Sequence, residues 1–116
     1  MPLFRDFDIV QAPANLSDLS TQYADAATSF IAEAASGTAP FLLYVAFSHM
    51  HQICAPGSPP GVRTWGDPRF RAQEADTSGG GRVGAELAEV DWLTGEVLAA
   101  LAKARVENNT LVVWTS

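Results

Sequence analysis

His49 and His51 are the residues of this sequence best suited to chemistry, because an imidazole exchanges protons near neutral pH and binds anions or metal ions. They follow residues 41–47, a run of seven apolar side chains that begins after Pro40. Such a run predicts a strand buried on both faces in a parallel sheet. Open α/β sheets bind ligands beyond the carboxyl ends of these strands. The pair therefore indicates a site, and we expect only one of the two histidines to face its ligand.

Two amphipathic helices are predicted, one on each side of this strand in the sequence. The first covers residues 16–34, with Asn15 or Ser17 as its N-cap and Gly37 as its terminator. Its apolar face consists of Leu16, Leu19, Tyr23, Ala26, Phe30, Ile31 and Ala34. The second covers residues 83–101, and its apolar face consists of Val83, Leu87, Val90, Leu93, Val97, Leu98 and Leu101.

A second apolar strand is predicted at residues 111–115. The strand–helix–strand order makes the two strands parallel, so the predicted fold class is α/β, with parallel strands and flanking helices. Two strands with helices cannot cover both faces and both edges of a sheet. We therefore expect residues 1–116 to be a piece of a larger domain.

Composition excludes several classes of protein. A hydrophobic content of 47% suffices for a packed core, and a net charge of −6 argues against nucleic acid as a partner. No stretch approaches the roughly 18 apolar residues of a membrane span. Residues 1–6 lack the apolar core of a signal peptide. Cys54 is the only cysteine and cannot form an internal disulfide.

Three stretches make the sequence resemble the sulfatase family, most closely arylsulfatases A and G. Residues 41–46 read Phe-Leu-Leu-Tyr-Val-Ala and are followed by His-Met-His at 49–51. Residues 89–91 match an acidic-apolar Glu-x-Asp segment of the family, and residues 109–115 match its Asn-Thr-Leu-Val-x-x-Thr. The resemblance spans most of residues 16–116, apart from the loop at 54–82. It implies an internal fragment, residues 1–116, of an N-terminal catalytic domain with the alkaline-phosphatase-like α/β fold.

The resemblance also implies an activity, that of a sulfuric ester hydrolase. Family members convert a Cys or Ser within C-x-P-S-R into a formylglycine nucleophile and hold a calcium ion with Asp and Asn residues. Neither the nucleophile nor a metal ligand matches a position of this chain. The implied substrate is a sulfated small molecule or glycan. The implied location is lysosomal or secreted, with Asn15 and Asn108 as possible glycosylation sites of a glycoprotein.

Only one functional residue of the family maps directly onto this chain. His51 aligns with a histidine that donates a hydrogen bond to a sulfate oxygen or to the leaving oxygen, and His49 is the secondary candidate in a supporting or structural position. Glu89 and Asp91 are expected to serve packing or a solvated face. Cys54 is expected to be an ordinary loop cysteine, because Gly57 and Ser58 stand where the formylglycine motif needs Ser and Arg.

Three other functions remain open on sequence grounds. A phosphodiesterase or phosphatase could share the fold, because fold alone does not determine the reaction. His49 and His51 could be two ligands of a zinc hydrolase, although one such family needs Asp where Ile53 stands, and no third ligand is evident. The chain could also be a non-catalytic truncated product.

Overall fold

The computed structural model describes residues 2–49, 66–70 and 81–115. Two short strands, β1 (Leu3–Arg5) and β2 (Asp8–Gln11), come first, followed by helix α1 (Leu19–Ala35) and helix α2 (Gly81–Lys103). Single 3-10 turns occur at Leu16–Asp18, Pro68–Phe70 and Glu107–Asn109. The predicted helices are thus confirmed, with α1 beginning three residues later than expected.

The only sheet within these residues is the antiparallel β1–β2 hairpin. Phe4 pairs with Ile9 and Arg5 with Asp8. Asp6 allows the reversal because it adopts φ 54°, a left-handed conformation that aspartate tolerates better than most residues. This hairpin leaves several large apolar side chains exposed, with Phe7 at its tip completely so.

The start of α1 follows the sequence prediction closely. Asn15 caps the 3-10 turn that leads into the helix, because its Oδ1 accepts a hydrogen bond from the backbone N–H of Ser17 at 3.2 Å. Its Nδ2 also donates to Asp18 Oδ2 at 2.5 Å. Of the two predicted caps, Asn15 therefore caps the turn, whereas the N-cap of α1 itself is Asp18, whose side chain forms no capping hydrogen bond. Gly37 lies two residues beyond the last residue of α1.

Helices α1 and α2 pack side by side and run in the same direction. Ser20, near the start of α1, reaches Glu89 in the first half of α2, while Ala35 and Lys103, at their ends, line one groove. The buried apolar side chains between them are Leu19, Ala24, Ala27 and Ile31 from α1, and Ala85, Val90, Leu93 and Leu101 from α2.

The predicted apolar faces are correct in the centre and wrong at the edges. Ala26, Phe30, Val83, Leu87 and Leu98 are all exposed. The reason is geometric: a helix buries only the stripe that faces its neighbour, and each described helix has its main partner on one side. Apolar spacing alone cannot tell the centre of such a stripe from its margin.

Residues 41–49 run back along α1 in the opposite direction. The ring of Phe41 lies 5.9 Å from that of Phe30, the Tyr23 hydroxyl is 3.4 Å from Ser48 Oγ, and His49 reaches Ser20. Burial alternates along this segment, with odd-numbered side chains turned inward and even-numbered ones outward, as in an extended chain. Leu42 is 88% exposed and Tyr44 is 85% exposed.

The prediction of parallel strands buried on both faces is not confirmed. Within the described residues, neither 41–47 nor 111–115 forms a sheet ladder, and the second segment also exposes its apolar side chains. A parallel strand is covered on both faces only when helices lie above and below its sheet. Here the described elements cover residues 41–47 on the α1 side alone.

Candidate functional site

The candidate site is a buried polar cluster of Ser20, His49 and Glu89. Ser20 lies in the first turn of α1, His49 ends the extended segment, and Glu89 lies on α2. Ser20 and Glu89 are each 1% exposed and His49 is 8% exposed. Burial of a polar group costs free energy unless the group forms hydrogen bonds. The three side chains must therefore be placed so that they can bond to one another.

Ser20 Oγ stands between the other two side chains. It lies 2.8 Å from His49 Nε2 and 2.5 Å from Glu89 Oε2, and these last two atoms are 3.1 Å apart. The serine has a single hydrogen and donates it to the carboxylate. His49 Nε2 must therefore carry a proton of its own, which it donates to Ser20 Oγ and Glu89 Oε2. The hydrogen-bond pattern thus assigns the proton to Nε2.

The second carboxylate oxygen of Glu89 is also occupied. Oε1 accepts a hydrogen bond from the backbone N–H of Asp67 at 3.1 Å. Gly66 allows this approach, because a Cβ at that position would lie only 3.0 Å from Oε1. Burial by itself raises the pKa of Glu89, but the hydrogen bonds from His49, Ser20 and the Asp67 backbone outweigh it. The net pKa is below its usual value, and the carboxylate is charged at neutral pH.

Asp67 and Arg69 hold the segment 66–70 against both helices. Asp67 Oδ1 caps the 3-10 turn by accepting from the Arg69 backbone N–H at 2.9 Å, and Oδ2 accepts from Arg69 Nε at 2.8 Å. The Arg69 guanidinium lies 4.0 Å from the ring centroid of Trp92 on α2, and its Nη2 donates to Thr21 Oγ1 on α1 at 3.0 Å. Although burial raises the pKa of Asp67, its hydrogen bonds with Arg69 lower it below the usual value.

The other ring nitrogen of His49, Nδ1, has no hydrogen-bond partner within the described parts of the chain, although it is fully buried. The edges of Tyr23 and Phe47 border the imidazole, with ring centroids 6.4 and 6.3 Å away. The network therefore uses one end of the imidazole and leaves the other available to a group outside the described residues.

This cluster is not a nucleophilic triad, although it contains a serine, a histidine and a carboxylate. In such triads the acid binds one ring nitrogen and the serine binds the other, so that the histidine can take the serine proton. Here both groups contact Nε2, and the serine hydrogen points to the carboxylate. The arrangement fixes the position of His49 and provides no attacking group.

A profile of the sulfatase family matches residues 7–116. The chain belongs to the sulfatase family. It is 36% identical over 115 residues to human arylsulfatase G, covering 99% of this chain and 19% of that protein. Rat steryl-sulfatase is 33% identical over 114 residues, which cover 98% of this chain and 17% of that protein. Human arylsulfatase H is 30% identical over 114 residues, with 98% and 17% covered.

The chain thus spans less than a fifth of the length of the curated relatives that it matches. No solved structure matches it. The resemblance inferred from residues 41–51, 89–91 and 109–115 is confirmed, and with it membership of a family of sulfuric ester hydrolases. The family implies an alkaline-phosphatase-like fold, of which the described residues form a small α/β part.

The described residues do not form a metal site of this sulfatase. No cluster of three or more His, Cys, Asp or Glu side chains among them could hold an ion. Glu89 has both oxygens occupied by hydrogen bonds, and Asp67 is engaged by Arg69. His49 Nε2 is also occupied, so the zinc hypothesis would have to use Nδ1. The family generally binds a metal ion, and the described residues do not by themselves form a site for it.

The predicted site residues divide into two groups. His51 and Cys54 lie outside the described residues. His49 is described and is buried, and both its secondary candidacy for substrate binding and its structural role stay predictions. Burial alternation places side chains two residues apart on the same face of an extended chain, so the spacing of the histidines alone does not separate their roles. Asn15 and Asn108 are both exposed, and the former caps the 3-10 turn before α1.

Glu89 was expected to serve packing or a solvated face, and the structure places it in a buried polar network. Ser20 was not among the predicted site residues. Glu89 is buried as the anion of a hydrogen-bond network, whereas Asp91 is exposed as a solvated face requires. One signal in the sequence could have identified Glu89. It lies four residues from both Ala85 and Leu93 on the buried face of α2, and a carboxylate at such a position needs a partner.

Proposed function

We propose that the protein containing this chain hydrolyses sulfate esters and that His51 belongs to its active site. The observation that carries the proposal is the sulfatase match across residues 7–116, together with the anchoring of His49 only two residues before His51. Because the chain covers under a fifth of its relatives, the activity is proposed for the complete protein. Residues 1–116 would then lie within its N-terminal catalytic domain.

The proposed role of His51 is to donate a hydrogen bond to a sulfate oxygen or to the leaving oxygen. A nearby anion favours the charged form of an imidazole, which supplies the donor. His49 supports this residue from the buried cluster and does not itself contact the sulfate. This division of roles agrees with the occupation of His49 Nε2 by Ser20 and Glu89.

The nucleophile and the metal ion of the proposed enzyme come from elsewhere in the protein. The sequence has no C-x-P-S-R, the motif that provides formylglycine, and the described residues form no metal-ligand cluster. We propose calcium as the metal, because the family resemblance implies it. When bound, such an ion neutralises charge on the transferring sulfate group.

The proposed substrates are sulfated small molecules or glycans. The relatives are named for aryl and steryl sulfates, which supports an ester of a ring-bearing alcohol. A lysosomal or secreted location is proposed, with Asn15 and Asn108 as acceptors for glycans. Nucleic acid is not a proposed partner, given the net charge of −6. None of the helices in the described regions is long and apolar enough to cross a membrane.

The test is an assay of the longest natural form of the protein with 4-methylumbelliferyl sulfate and the corresponding phosphate. We expect turnover of the sulfate, and His51→Ala should lower it roughly 10²–10⁴-fold, as is usual for a positioned proton donor. His49→Ala should act mainly by lowering the melting temperature. Preferred hydrolysis of the phosphate would support the phosphatase alternative and contradict this proposal, as would an active enzyme indifferent to His51→Ala.

A further inference from the structure

We propose that Glu89 is a positioning residue for the sulfate site, acting with Ser20 through His49 on the chain at His51. The inference rests on the proposed function, because it takes His51 to be the site histidine. It assigns roles to Ser20 and Glu89 that neither their sequence positions nor the family match provides.

The first step is that the cluster permits only one orientation of the His49 ring. A 180° flip about the Cβ–Cγ bond would exchange Nε2 with Cε1. The carbon would then face Ser20 Oγ and Glu89 Oε2, and both hydrogen bonds at 2.8 and 3.1 Å would be lost. Because the ring is buried, water cannot replace them. Glu89 and Ser20 therefore select both the tautomer and the rotamer of His49.

The second step is that burial alone gives no reason for a carboxylate at position 89. The neighbouring positions on this face of α2 are Ala85 and Leu93, and an apolar side chain would bury there without a desolvation penalty. Glu89 instead joins three separate segments, since it accepts hydrogen bonds from Ser20, His49 and the Asp67 backbone. Directional hydrogen bonds of this kind fix the positions of the three segments relative to one another, and nondirectional apolar contacts would fix them less well.

The third step is the length of the path from His49 to His51. A chain of two residues spans at most about 7 Å whatever its conformation, so we expect a displacement of His49 to alter the position of His51. Misplacement of a catalytic group by about 1 Å can lower a rate about 10²-fold. Loosening the cluster should therefore lower turnover even though none of its members is proposed to touch the substrate.

The test is a double-mutant cycle in the longest natural form of the protein. Ser20→Ala and Glu89→Gln are each made in the parent and in a His51→Ala background. In the parent, each should lower kcat about tenfold or more with little change in KM. In the His51→Ala background, each should change kcat less than about twofold, because residues that act through one another are not additive. Ser20→Thr, which keeps the hydroxyl, should restore most of the loss.

Two controls separate positioning from stability. Glu33→Gln removes an exposed carboxylate from α1 and should leave kcat unchanged. Thermal unfolding of every variant measures its loss of stability. We expect that loss to be the same in the parent and in the His51→Ala background, whereas the loss of kcat should differ between them. Equal reductions of kcat by Glu89→Gln with and without His51 would overturn the proposal. A loss of stability with unchanged kcat would overturn it as well.

A spectroscopic readout makes the result independent of turnover. In protein labelled with ¹³C and ¹⁵N at histidine, Ser20→Ala and Glu89→Gln should shift the ring signals of His51, whereas Glu33→Gln should not. Unchanged His51 signals would contradict the positioning role. A parent protein that hydrolyses no sulfate ester would contradict the proposed function instead, so the two failures are distinguishable.

Discussion

At the scale of single residues, Glu89 shows how a charged side chain can be accommodated inside a small helical pair. Both of its oxygens accept hydrogen bonds, two from side chains and one from a backbone N–H. Their combined effect on the pKa of Glu89 exceeds that of burial. The charge therefore persists because each carboxylate oxygen accepts at least one hydrogen bond, and removal of one partner leaves a buried polar atom of the network unpaired.

Stability should consequently depend on pH through Glu89. Its pKa is lowered in the folded state, so its contribution is present above the ordinary value of 4.5 and is lost as pH falls through the folded value. Urea unfolding at a series of pH values should show a falling free energy of unfolding below about pH 4.5. Asp67, whose pKa is also lowered, contributes in the same direction.

Glu89→Gln identifies the share of this pH dependence that belongs to Glu89. At pH 7 the variant should be less stable by about 1–3 kcal/mol, and its stability should vary less between pH 3 and 5 than that of the parent. Asp91→Asn is the matched control, because Asp91 is exposed on the same helix, and it should change stability by no more than about 0.5 kcal/mol. An equally steep pH profile in Glu89→Gln would contradict the assignment.

Gly66 and Gly95 form a second matched pair. A Cβ at Gly66 would lie 3.0 Å from Glu89 Oε1, so Gly66→Ala must displace the carboxylate or the backbone beside it. We expect a loss of about 1–3 kcal/mol in unfolding experiments. Gly95 lies inside α2, and a Cβ there would meet no described atom within 4 Å. Gly95→Ala should therefore stabilise the protein by about 0.5–1 kcal/mol, and a loss there would mean that another part of the protein covers this face.

At the scale of elements, two parallel helices and the extended segment beside them provide the frame of the site. Each supplies one member of the cluster, and segment 66–70 closes it from a fourth direction. The Arg69 guanidinium strengthens that closure by lying over Trp92 while it pairs with Asp67. The site geometry therefore depends on how α1 and α2 pack, and less on any one loop.

Leu93 and Leu98 test which face of α2 carries that packing. Apolar spacing assigns both to one face, but Leu93 is 0% exposed and Leu98 is 47% exposed. Leu93→Ala should lower the free energy of unfolding by about 2–5 kcal/mol, because a buried leucine leaves a cavity. Leu98→Ala should lower it by less than about 1 kcal/mol. Similar losses at both positions in denaturant titrations would show that Leu98 is covered in the complete protein.

At the scale of the whole molecule, the chain presents apolar surfaces that its described elements leave uncovered. Leu42 and Tyr44 point away from α1, and Leu111, Val113 and Trp114 are also exposed. Large apolar side chains that are exposed along a segment are candidates for contact with another element or another chain. Both segments were predicted to be buried strands, and the curated relatives are more than five times as long as this chain.

The 116-residue chain by itself should not hydrolyse sulfate esters. Its sequence lacks the C-x-P-S-R motif, and its described residues include no cluster of metal ligands, so a histidine would have to act without a nucleophile or charge neutralisation. The measurement is release of 4-methylumbelliferone from its sulfate ester in the presence of calcium, with His51→Ala as the control. Turnover by the chain above that control would contradict the division of the site proposed above.

Features of this protein that depend on local sequence patterns were predictable from its residues alone. Apolar periodicity located α1 and α2, and Asn15 indicated the turn that leads into α1. The apolar run at 41–47 belongs to an extended segment that ends at His49. Short motifs in the correct order were also sufficient to indicate the sulfatase family, which the match over residues 7–116 confirms. Such features need no information about distant contacts, because each is encoded within a few consecutive turns or residues.

The grouping of polar residues into one cluster became apparent only from the packed structure. Ser20, His49 and Glu89 are separated by 29 and 40 positions, and nothing in their local sequence indicates that they share one hydrogen-bond network. Likewise, the choice between Leu93 and Leu98 as core residues depends on where α1 lies. Spacing along a helix fixes the angle between side chains, but burial is set by the neighbouring surface, and that surface exists only after the segments have packed.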